Sequence, residues 1–556
     1  MDNYQIAENF ALLGKLMDIH GDNSFKAKSY SSAAFTIDRI PTPLAELEPD
    51  KIAGIKGIGS STAKYIVEQL QTGRLSLLDE YLQRTPPGVL EMLSIKGIGP
   101  KKIATIWKEL EIESLGELLY ACNENRLTLY KGFGEKTQQN IREAIEFYMG
   151  AMGSYLFQQI ESYASGMDAK LKDQFKDARF QLTGEFRRQM EVVNKLEWVC
   201  TLTTDQLTIF FKEHEFETVS SSESYVSFKG KENVLLGFHC ASEEHLQSTL
   251  FMTSCSEEFL LAWQEAAGWD AGKSFRSERE IFDAANRPFI PPFLREKSNI
   301  ISSAAPDLST LVQPEDITGI IHSHSNWSDG VNTIEQMAVA AKERGLQFLV
   351  ISDHSKTAFY ANGLTEDRIA AQHQQVDELN KKLAPFKIFK SIESDILNDG
   401  SLDYSPEILA TFDLVIASVH SNLKMNEEKA MMRLMRAIEN PYTSILGHMT
   451  GRLLLSRNGY PVDHKKIVEA CAANNVVIEL NAHPRRLDID WRWIDYALEK
   501  NVLISIDPDA HAIDGFDDCR YGVLAAQKAG LPREKNLSSY SLADFELFVQ
   551  TQKAKR

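Results

Sequence analysis

Cysteine is scarce in this sequence, and the few cysteines present are not paired. Six cysteines are scattered over 556 residues with no short repeated spacing between them. This pattern argues against a disulfide framework and against a zinc site built from thiolates. It favours a protein that works in a reducing compartment.

Long apolar runs are also missing. No uninterrupted apolar stretch reaches the roughly 20 residues that a membrane-spanning helix needs. The first residues carry Asp2, Glu8 and Asp18 where a secretory signal would be basic and then apolar. We therefore expect a cytoplasmic protein, and a chain of 556 residues is expected to form several domains.

Positive charge is in short supply, since the formal net charge is −18. A nucleic-acid binder needs Lys and Arg to neutralise phosphates, so the total speaks against one. The deficit is uneven, however, because residues 1–150 carry 17 Lys and Arg against 20 Asp and Glu. Any contact with nucleic acid is therefore expected near the N-terminus.

Three segments within the first 150 residues share one pattern. Each has an apolar residue, a lysine, a glycine, an apolar residue, a second glycine and then a helical pattern: IAGIKGIGSSTAKYIVEQL (52–70), LSIKGIGPKKIATIWKEL (93–110) and LYKGFGEKTQQNIREAI (129–145). Glycine permits a tight turn, and the helix that follows presents free N–H groups at its positive end. The pattern predicts helix-hairpin-helix units that hold DNA backbone phosphates without reading bases.

The hairpin glycines and nearby lysines are the predicted DNA contacts. One Gly-x-Gly before a helix is usually a plain connection, but three copies with the same preceding lysine favour a function. We expect binding that is modest, sensitive to salt and indifferent to base sequence. The candidate residues are Gly57, Gly59, Gly97, Gly99, Gly132, Gly134, Lys101 and Lys102, with Lys56, Lys96 and Lys131 adding charge.

From about residue 316 the pattern changes to apolar strands that alternate with helical stretches. Seven strands are predicted, and they read ITGIIH, FLVISDH, FKIFKSIE, DLVIASVH, SILGH, VVIELN and VLISIDPDAH. Nearly continuous apolar runs separated by helices indicate parallel strands that are buried on both faces. In a barrel of such strands, the side chains at the C-terminal ends converge on one face.

Potential metal ligands occupy these strand ends. A lone histidine at a strand end is usually structural, but here six of the chain's 13 histidines fall at five strand ends together with three carboxylates. Imidazoles and carboxylates without thiolates suit zinc, manganese or iron, and nine ligands are too many for one ion. We predict two or three divalent ions, Mn2+ or Zn2+ with Fe as a further option, held by His322, His324, Asp329, His354, Glu393, His420, His448, Asp509 and His511.

Such a cluster predicts phosphoester hydrolysis, because metal ions lower the pKa of water and neutralise charge on a leaving oxygen. The candidates for catalytic work are Glu393, Asp329, His354 and Arg452. Glu393 is expected to bridge metals. Arg452, or alternatively Arg486, is a candidate for bidentate binding of a phosphate, although either arginine could form a surface ion pair instead.

The motifs of this region resemble those of the PHP-domain phosphoesterases. HSHSNWSDG, ISDHS, IESDILNDG, IASVHSN, GHMTGRLL and DPDAHA follow one another in the order of that family over about 240 residues. The resemblance implies an α/β fold, a distorted seven-stranded barrel with a trinuclear metal site. Ile320 stands where relatives often have an acidic residue, and we expect the site to survive this departure.

Together, the hairpins and the barrel resemble the bacterial family X DNA polymerases over essentially the whole chain. The segment SEREIFDAANRPFIPPFLRE (277–296) is similar to the end of that family's thumb. The resemblance implies a multidomain protein: a small DNA-end-binding helical domain (1–85), a fingers-like domain (86–150), an α+β nucleotidyltransferase-like palm and thumb (151–298), a linker (299–315) and the PHP domain, a 3′-to-5′ nuclease (316–556).

The palm motif departs from the family at the residues that carry the chemistry. The segment GEFRRQMEVVNKLEWV (184–199) stands where the family has a Gly-Ser turn and a strand with two aspartates, which bind two Mg2+ ions with a third aspartate. Here Glu185 replaces the serine, Lys195 and Glu197 replace the paired aspartates, and alignment by eye gives Gly237 for the third. One glutamate beside an ammonium cannot gather two Mg2+ ions, so we predict that polymerase activity is lost. Arg187 is expected to serve DNA backbone binding or packing, as is Arg188.

Three functions remain open at this point. The leading hypothesis is a DNA-repair protein that binds gapped, nicked or 3′ ends of DNA and hydrolyses phosphoesters, as a 3′-to-5′ exonuclease or 3′-end-processing enzyme; we expect a monomer. The second is a non-catalytic scaffold for DNA ends, against which the intact ligand set speaks. The third is a small-molecule phosphatase that retains the hairpins as structural remnants.

Overall fold

The computed structural model describes residues 1–38, 40, 42–150, 153–268, 272–302 and 307–556. They form two compact units. The first comprises Met1–Asn123 and Leu127–Tyr148, and the second comprises Glu124–Arg126 and Met149–Arg556. Among the described residues, no helix is both long enough and apolar enough to cross a membrane.

The first unit is entirely helical. Its helices are α1 (Asn3–His20), α2 (Ser24–Asp38), α3 (Pro49–Ala53), α4 (Ser60–Thr72), α5 (Ser76–Arg84), α6 (Pro87–Glu91), α7 (Pro100–Lys108), α8 (Leu115–Asn123) and α9 (Glu135–Gly150). Asp2 starts α1 with a capping box, and Gly21 ends it in the left-handed conformation. Apolar residues on one side of α1, among them Phe10 and Leu13, are fully buried.

A mixed sheet and its helices open the second unit. The elements are β1 (Tyr155–Leu156), α10 (Phe157–Gln174), β2 (Phe180–Thr183), α11 (Gly184–Arg187), β3 (Val192–Val193), β4 (Leu196–Cys200), α12 (Thr204–Glu213), β5 (Glu217–Ser221), β6 (Tyr225–Lys229), β7 (Leu235–Cys240), α13 (Leu246–Thr253), α14 (Glu257–Ala267), α15 (Glu278–Ala284) and α16 (Asn299–Ser302). The strand order is β2-β4-β7-β6-β5, while β1 and β3 form a separate pair. Trp198 and Phe238 stack at 5.3 Å in the core of this sheet.

A barrel with its helices completes the second unit. The elements are β8 (Gly319–Ser323), α17 (Ile334–Glu343), β9 (Phe348–Ile351), α18 (Glu366–Leu383), β10 (Lys387–Asp395), α19 (Pro406–Leu409), β11 (Leu414–Ser418), α20 (Glu427–Ile438), β12 (Ile445–Leu446), α21 (His464–Asn474), β13 (Val477–Asn481), α22 (Ile494–Glu499), β14 (Ile504–Asp507), α23 (Cys519–Lys528) and α24 (Leu542–Ala554). All seven predicted strands are present, although SILGH contributes only two residues.

The seven strands run parallel in sequence order from β8 to β14. A parallel bridge between Ser323 and Ala510 brings the two outer strands together, so the barrel is nearly closed. Branched apolar residues fill the strands, and those of β8, β9, β11, β13 and β14 are buried throughout. This burial on both faces is typical of parallel strands covered by helices. The predicted fold class is confirmed.

The segment predicted to be a linker, 299–315, is packed at Leu311 and Val312, whereas residues 307–309 are exposed. Leu311 belongs to the apolar cluster of the preceding helices, and Val312 belongs to the core of the barrel. The Val312 N–H donates to the carbonyl of Leu531 at 3.0 Å. Residues 303–306 of the predicted linker lie outside the described residues.

Candidate metal centre and nucleic-acid-binding elements

The nine predicted metal ligands meet at the C-terminal end of the barrel. Three groups of side chains bring their ligand atoms within 4.8 Å of one another. Two groups share His324, and two share His354. The groups are His324, Asp329, His354 and His511; His322, His324 and Asp509; and His354, Glu393 and His420.

Glu393 lies at the centre of the cluster. Its Oε1 is 2.9 Å from Nε2 of His448, 3.0 Å from Nε2 of His420 and 3.3 Å from Nε2 of His322. Its Oε2 is 3.0 Å from Nδ1 of His354. Its position near the middle of the seven-stranded sheet, on β10, explains why one carboxylate reaches ligands from four other strand ends. Glu393 thus contacts four of the other predicted ligands.

Two further carboxylates orient ligand histidines and were missed as site residues in the sequence. Glu479 accepts a hydrogen bond from Nδ1 of His322, and Asp395 pairs with Nδ1 of His420 at 2.6 Å. In both cases the ring turns Nε2 towards the cluster, which is the usual arrangement around a metal-bound histidine.

A period-two pattern could have revealed both orienting residues. Asp395 follows Glu393 by two positions and Glu479 precedes Asn481 by two, so each shares a strand face with a residue at the barrel end. Asp395 lies beyond the end of the predicted strand FKIFKSIE, and Glu479 comes before the last polar residue of β13, so neither stood at a predicted strand end. Asn481 itself donates from Nδ2 to Asp509 at 3.1 Å.

The backbone is held in an unusual conformation at two ligands. His322 has a φ of 59° and Asp509 has a φ of 52°, both in the left-handed region that costs a residue with a side chain roughly 1–3 kcal/mol. The two residues flank the bridge that brings β8 and the end of β14 together, and the Ala510 N–H donates to the carbonyl of His322. The backbone contacts that close the barrel therefore also help to position these two ligands.

The donor atoms of the cluster fit divalent metal ions. Several are buried and find no hydrogen-bond partner among the described residues, although an unpaired buried polar atom is costly. A metal ion would satisfy them, and their imidazole and carboxylate chemistry suits Zn2+ or Mn2+. The atoms are Nε2 of His322, Nδ1 of His324, Oδ2 of Asp329, Nδ1 and Nε2 of His354, Oε2 of Glu393, Nδ1 of His448 and Nε2 of His511.

Two of the histidines are held neutral by their surroundings. Burial, reinforced by His511 and His354, lowers the pKa of His324 to about 3. Burial and the charge of Arg486 lower the pKa of His448 to about 3. A neutral imidazole is the form that binds a metal.

Two other ligand histidines have a raised pKa, because carboxylates surround them. Burial alone would lower the pKa of His420, but Glu393 and Asp395 raise it to about 10. Burial is likewise outweighed at His511, where Asp329 contributes to raising the pKa to about 10. The carboxylates thus stabilise positive charge at the centre of the cluster. Without a metal ion, the protons on these two histidines supply that charge, and a metal ion would have to displace them.

Arg452 has a different role from the predicted one. Its Nε donates to the carbonyl of Arg486 at 2.9 Å, Nη1 pairs with Asp490 at 2.5 Å, and Nη2 donates to the carbonyl of Leu487. These bonds hold the loop after β13, so the guanidinium is committed to the protein. Arg486 is only 4% exposed, and its Nε lies 3.7 Å from Oδ2 of Asp509. Of the two arginines, Arg486 is the one beside the metal ligands.

The three predicted hairpins of the first unit share one backbone geometry. The first glycine of each, Gly57, Gly97 and Gly132, has a φ of 95°, 94° and 96°, respectively, which favours glycine. The second glycine has an ordinary φ in the hairpins where the N-cap is described, −78° at Gly59 and −96° at Gly99. The backbone conformation therefore does not require glycine at this second position.

The space around the second glycines explains their presence. A Cβ at Gly59, Gly99 or Gly134 would meet no atom within 4 Å in the described part of the chain. The helices that follow Gly59 and Gly99 also lack a side-chain cap among the described residues, so no cap occupies the N–H groups of their first turns; Pro100, the first residue of α7, has no N–H. An open N-terminus of this kind can accept a phosphate.

Comparisons with known proteins agree with these two sites. Residues 1–75 match the helix-hairpin-helix domain family, residues 89–146 match the SAM-like helix-hairpin-helix tandem, and residues 321–483 match the PHP domain. The chain is 32% identical to the "DNA polymerase/3'-5' exonuclease PolX" of Bacillus subtilis over 96% of this chain and 97% of that protein.

The chain belongs to the bacterial family X DNA polymerases with a PHP domain. Other relatives match only part of it. Probable phosphatases of Caldanaerobacter subterraneus and Syntrophotalea carbinolica are 28% and 29% identical, each over 29% of this chain and 60% and 64% of their own lengths. The hairpins and the family relationship support DNA binding, and the PHP domain supports phosphoester hydrolysis.

The palm of this family X protein places Lys195, Glu197 and Gly237 side by side. Strands β4 and β7 run parallel, and Glu197 pairs with Gly237 in their register. Nζ of Lys195 is 2.8 Å from Glu197, and Nε2 of His239 is 3.0 Å from the same carboxylate. The Tyr225 hydroxyl lies 2.6 Å from where a Cβ on Gly237 would stand.

The carboxylate of Glu197 is therefore already neutralised by the protein. Burial would raise its pKa, but hydrogen bonds and charge from His239 and Lys195 lower it. Gly184 starts α11 with a φ of 65°, and a Cβ there would lie 2.4 Å from Glu197 Oε2. The turn glycine of the family motif thus remains essential for packing against Glu197.

The two arginines of the palm segment hold ion pairs within the protein. Arg187 makes a two-point contact with the buried Glu278, which also pairs with Arg295. Arg188 pairs with Glu296 at 2.9 Å. Of the two predicted roles, packing is the one that this geometry supports.

Two other acidic residues of the palm and its neighbours join the palm to the barrel. Glu191 accepts hydrogen bonds from Arg492 at 2.9 Å and from the Trp491 indole at 3.1 Å. Glu296 also receives the ammonium of Lys528, which burial holds at a pKa of about 8. The palm segment of this family X protein therefore supports the PHP barrel.

Proposed function

We propose that this family X protein is a DNA-repair nuclease that processes 3′ ends of gapped or nicked DNA as a metal-dependent 3′-to-5′ exonuclease. We further propose that it acts as a monomer, with the domain boundaries predicted from the sequence. The observation that carries the proposal is the convergence of nine buried ligand side chains at one end of the barrel, in a chain that also carries three open hairpins.

When bound, two or three divalent ions would supply Lewis acidity towards a phosphate and lower the pKa of water for attack on phosphorus. The protein's contribution is to hold the donors in place. Glu393 serves several ligand groups at once, while Asp395 and Glu479 fix the rings of His420 and His322. Zn2+ and Mn2+ are the ions that this donor set favours.

The catalytic candidates divide by position. Glu393, Asp329 and His354 belong to the cluster itself and are proposed to bind the metals that act on the phosphate. Arg486 is proposed, in place of Arg452, as the arginine that meets a substrate phosphate. Its position beside Asp509 would place a guanidinium next to the developing negative charge.

We also propose that the polymerase site is silent. Two Mg2+ ions need several free carboxylate oxygens, whereas Lys195 and His239 already engage Glu197, and Glu185 accepts a hydrogen bond from the N–H of Asn194 at 2.7 Å. Neither Glu191 nor Glu232 supplies a replacement, because Glu191 is paired with Arg492 and Glu232 is an exposed residue. The family relationship therefore describes ancestry and fold better than it describes the reaction of this chain.

A small-molecule phosphatase is the second candidate, because the chain is similar to probable phosphatases over 29% of its length. A substrate comparison separates the two functions. The full chain, loaded with Mn2+, would be offered a 5′-labelled oligonucleotide and glycerol phosphate. Rapid shortening of the oligonucleotide from its 3′ end supports the nuclease, and a preference for glycerol phosphate supports the phosphatase.

The metal requirement is tested with His324→Ala. We expect this variant to lose bound metal and nuclease activity together, because His324 belongs to two of the three ligand groups. His464→Ala is the matched control, since this histidine of the same domain stacks on Trp493 and lies outside the three groups. Full activity of His324→Ala with normal metal content would refute the assignment of the site.

A further inference from the structure

The loop that follows His354 carries an aromatic pair at the edge of the metal centre. Phe359 and Tyr360 are consecutive, and their ring centroids are 6.0 Å apart. The Tyr360 ring lies 6.5 Å from that of His354, a proposed metal ligand.

Phe359 is unusually exposed for its type. It is 79% exposed, which is the greatest exposure of any large hydrophobic side chain in the described residues 307–556. An aromatic ring of this size normally contributes to a core or to a binding surface. Its exposure beside a phosphoesterase site provides a flat apolar face for a planar ligand.

Tyr360 complements this exposed ring with a polar group. Its hydroxyl is buried and finds no hydrogen-bond partner among the described residues. Tyrosine hydroxyls that are buried usually have a partner, so an unpaired one beside a binding site can be reserved for a ligand. A phenol is protonated at neutral pH, so this hydroxyl can donate a hydrogen bond.

The loop is fixed by hydrogen bonds rather than by the aromatic pair itself. The Arg368 guanidinium donates to the carbonyls of Asn362 at 2.7 Å and Gly363 at 3.1 Å. The Asn362 side chain donates to the carbonyl of Trp327 at 3.2 Å, and the Leu364 N–H donates to the carbonyl of His354 at 2.9 Å. The pair is therefore held in position without the ligand, which lowers the entropic cost of binding.

We propose that Phe359 and Tyr360 bind the terminal nucleotide of a single-stranded or frayed DNA end. The Phe359 ring stacks on the base, and the Tyr360 hydroxyl donates a hydrogen bond to an oxygen of the nucleotide's phosphate. Stacking on an aromatic ring tolerates every base, in keeping with a nuclease that has no sequence preference. This inference rests on the proposed nuclease function and adds its preference for unpaired, base-bearing ends.

Abasic substrates test the stacking. The full chain would be given two oligonucleotides that differ only in whether the last two residues at the 3′ end carry bases. Because stacking on one aromatic ring changes affinity by about tenfold or more, the unmodified protein should show a KM at least about tenfold lower for the base-bearing strand. Phe359→Ala should raise that KM to the abasic value while leaving kcat and the KM of the abasic strand unchanged.

Tyr360→Phe separates the second contact from the first. It should lower kcat/KM by about tenfold on both strands, because the phosphate contact does not depend on a base. Leu547→Ala is the control for both variants: Leu547 is a 62% exposed side chain on α24, whose Glu546 pairs with Lys387 at the N-terminal start of β10, away from the metal ligands. It should behave like the unmodified protein.

A binding measurement provides a readout that does not need turnover. An oligonucleotide with 2-aminopurine at its 3′ terminus, mixed with the protein in EDTA, should lose fluorescence on binding through stacking, and Phe359→Ala should abolish that loss. The inference is overturned if Phe359→Ala retains both the discrimination and the quenching while the protein degrades DNA. If the unmodified protein hydrolyses glycerol phosphate but neither strand, the proposed nuclease function fails and the inference fails with it.

Discussion

Replacing Glu479 by glutamine tests how far the metal centre depends on residues that are not ligands. The Glu479 carboxylate accepts three hydrogen bonds in the closed interior of the barrel. The donors are Nδ1 of His322, the backbone N–H of His448 at 2.5 Å and, at a longer 3.4 Å, Nδ2 of Asn481. Glutamine has nearly the same shape but offers only one acceptor oxygen and presents an NH2 group on the other side.

The size of the effect follows from this mismatch. In either orientation of the amide, an NH2 group faces a donor, and one buried N–H loses its acceptor at a cost of about 1–3 kcal/mol. If that N–H is on His322, the ring also loses the partner that directs Nε2 towards the metals. Removal of such an orienting group typically weakens metal affinity by about 10–100-fold. We expect Glu479→Gln to fall within this range.

Metal content after dialysis against a series of chelator concentrations measures this effect directly. Glu499→Gln is the control, because it makes the same chemical change at an exposed position of α22. The melting temperature of each variant in EDTA separates a loss of metal affinity from a loss of folding. Metal retention by Glu479→Gln equal to that of the unmodified protein would show that the orientation of His322 does not depend on this carboxylate.

Further predictions concern protons, DNA and the palm. Since His420 and His511 have a raised pKa of about 10 without metal, they carry protons at pH 7.5; metal binding should release protons there and weaken as the pH falls, which calorimetry in buffers of different ionisation enthalpy detects, and no release would contradict it. Gly99→Val should weaken binding to nicked DNA without changing the melting temperature, because its Cβ projects into open space where a phosphate would lie; unchanged affinity would leave that hairpin without a DNA contact. In the His324→Ala background, where the nuclease does not remove new ends, we expect no primer extension with Mg2+ or Mn2+; templated incorporation would show that the palm retains its chemistry.

Much of the barrel could be predicted from the sequence because parallel strands have a strong local signature. Continuous apolar runs separated by helices identified all seven strands, and polar residues at or just after the ends of six of them are the predicted ligands, whose side chains lie together in the structure. The geometry of a parallel barrel then brings strand ends together whatever the intervening helices are, so a convergence such as that of His322 and Asp509 follows from topology. The hairpins could also be predicted from the sequence. The positive φ at Gly57 favours glycine, and a glycine therefore recurs at the same position of each hairpin segment.

Contacts between segments distant in the chain could not be predicted in the same way. Arg452 has the sequence context of a phosphate ligand, but its donors are taken by the loop after β13, some 35 residues further along. In the sequence, Glu479 is an interior residue of a predicted strand, and only the fold brings it into hydrogen-bonding contact with His322. In each case the role of the side chain depends on which group it hydrogen-bonds to. That group is close in space but distant in the sequence.

For the palm, the sequence determined some features and the tertiary structure determined others. The sequence alone determined that the aspartates of the family motif are absent, because residue identity decides whether oxygens exist to bind Mg2+. Only the tertiary structure decided what replaced them: Lys195 neutralises Glu197, His239 hydrogen-bonds to it, Tyr225 occupies the space beside Gly237, and Glu191 bonds to the barrel. A missing ligand can be read from one position, whereas a new contact requires two surfaces that meet only when the chain is folded.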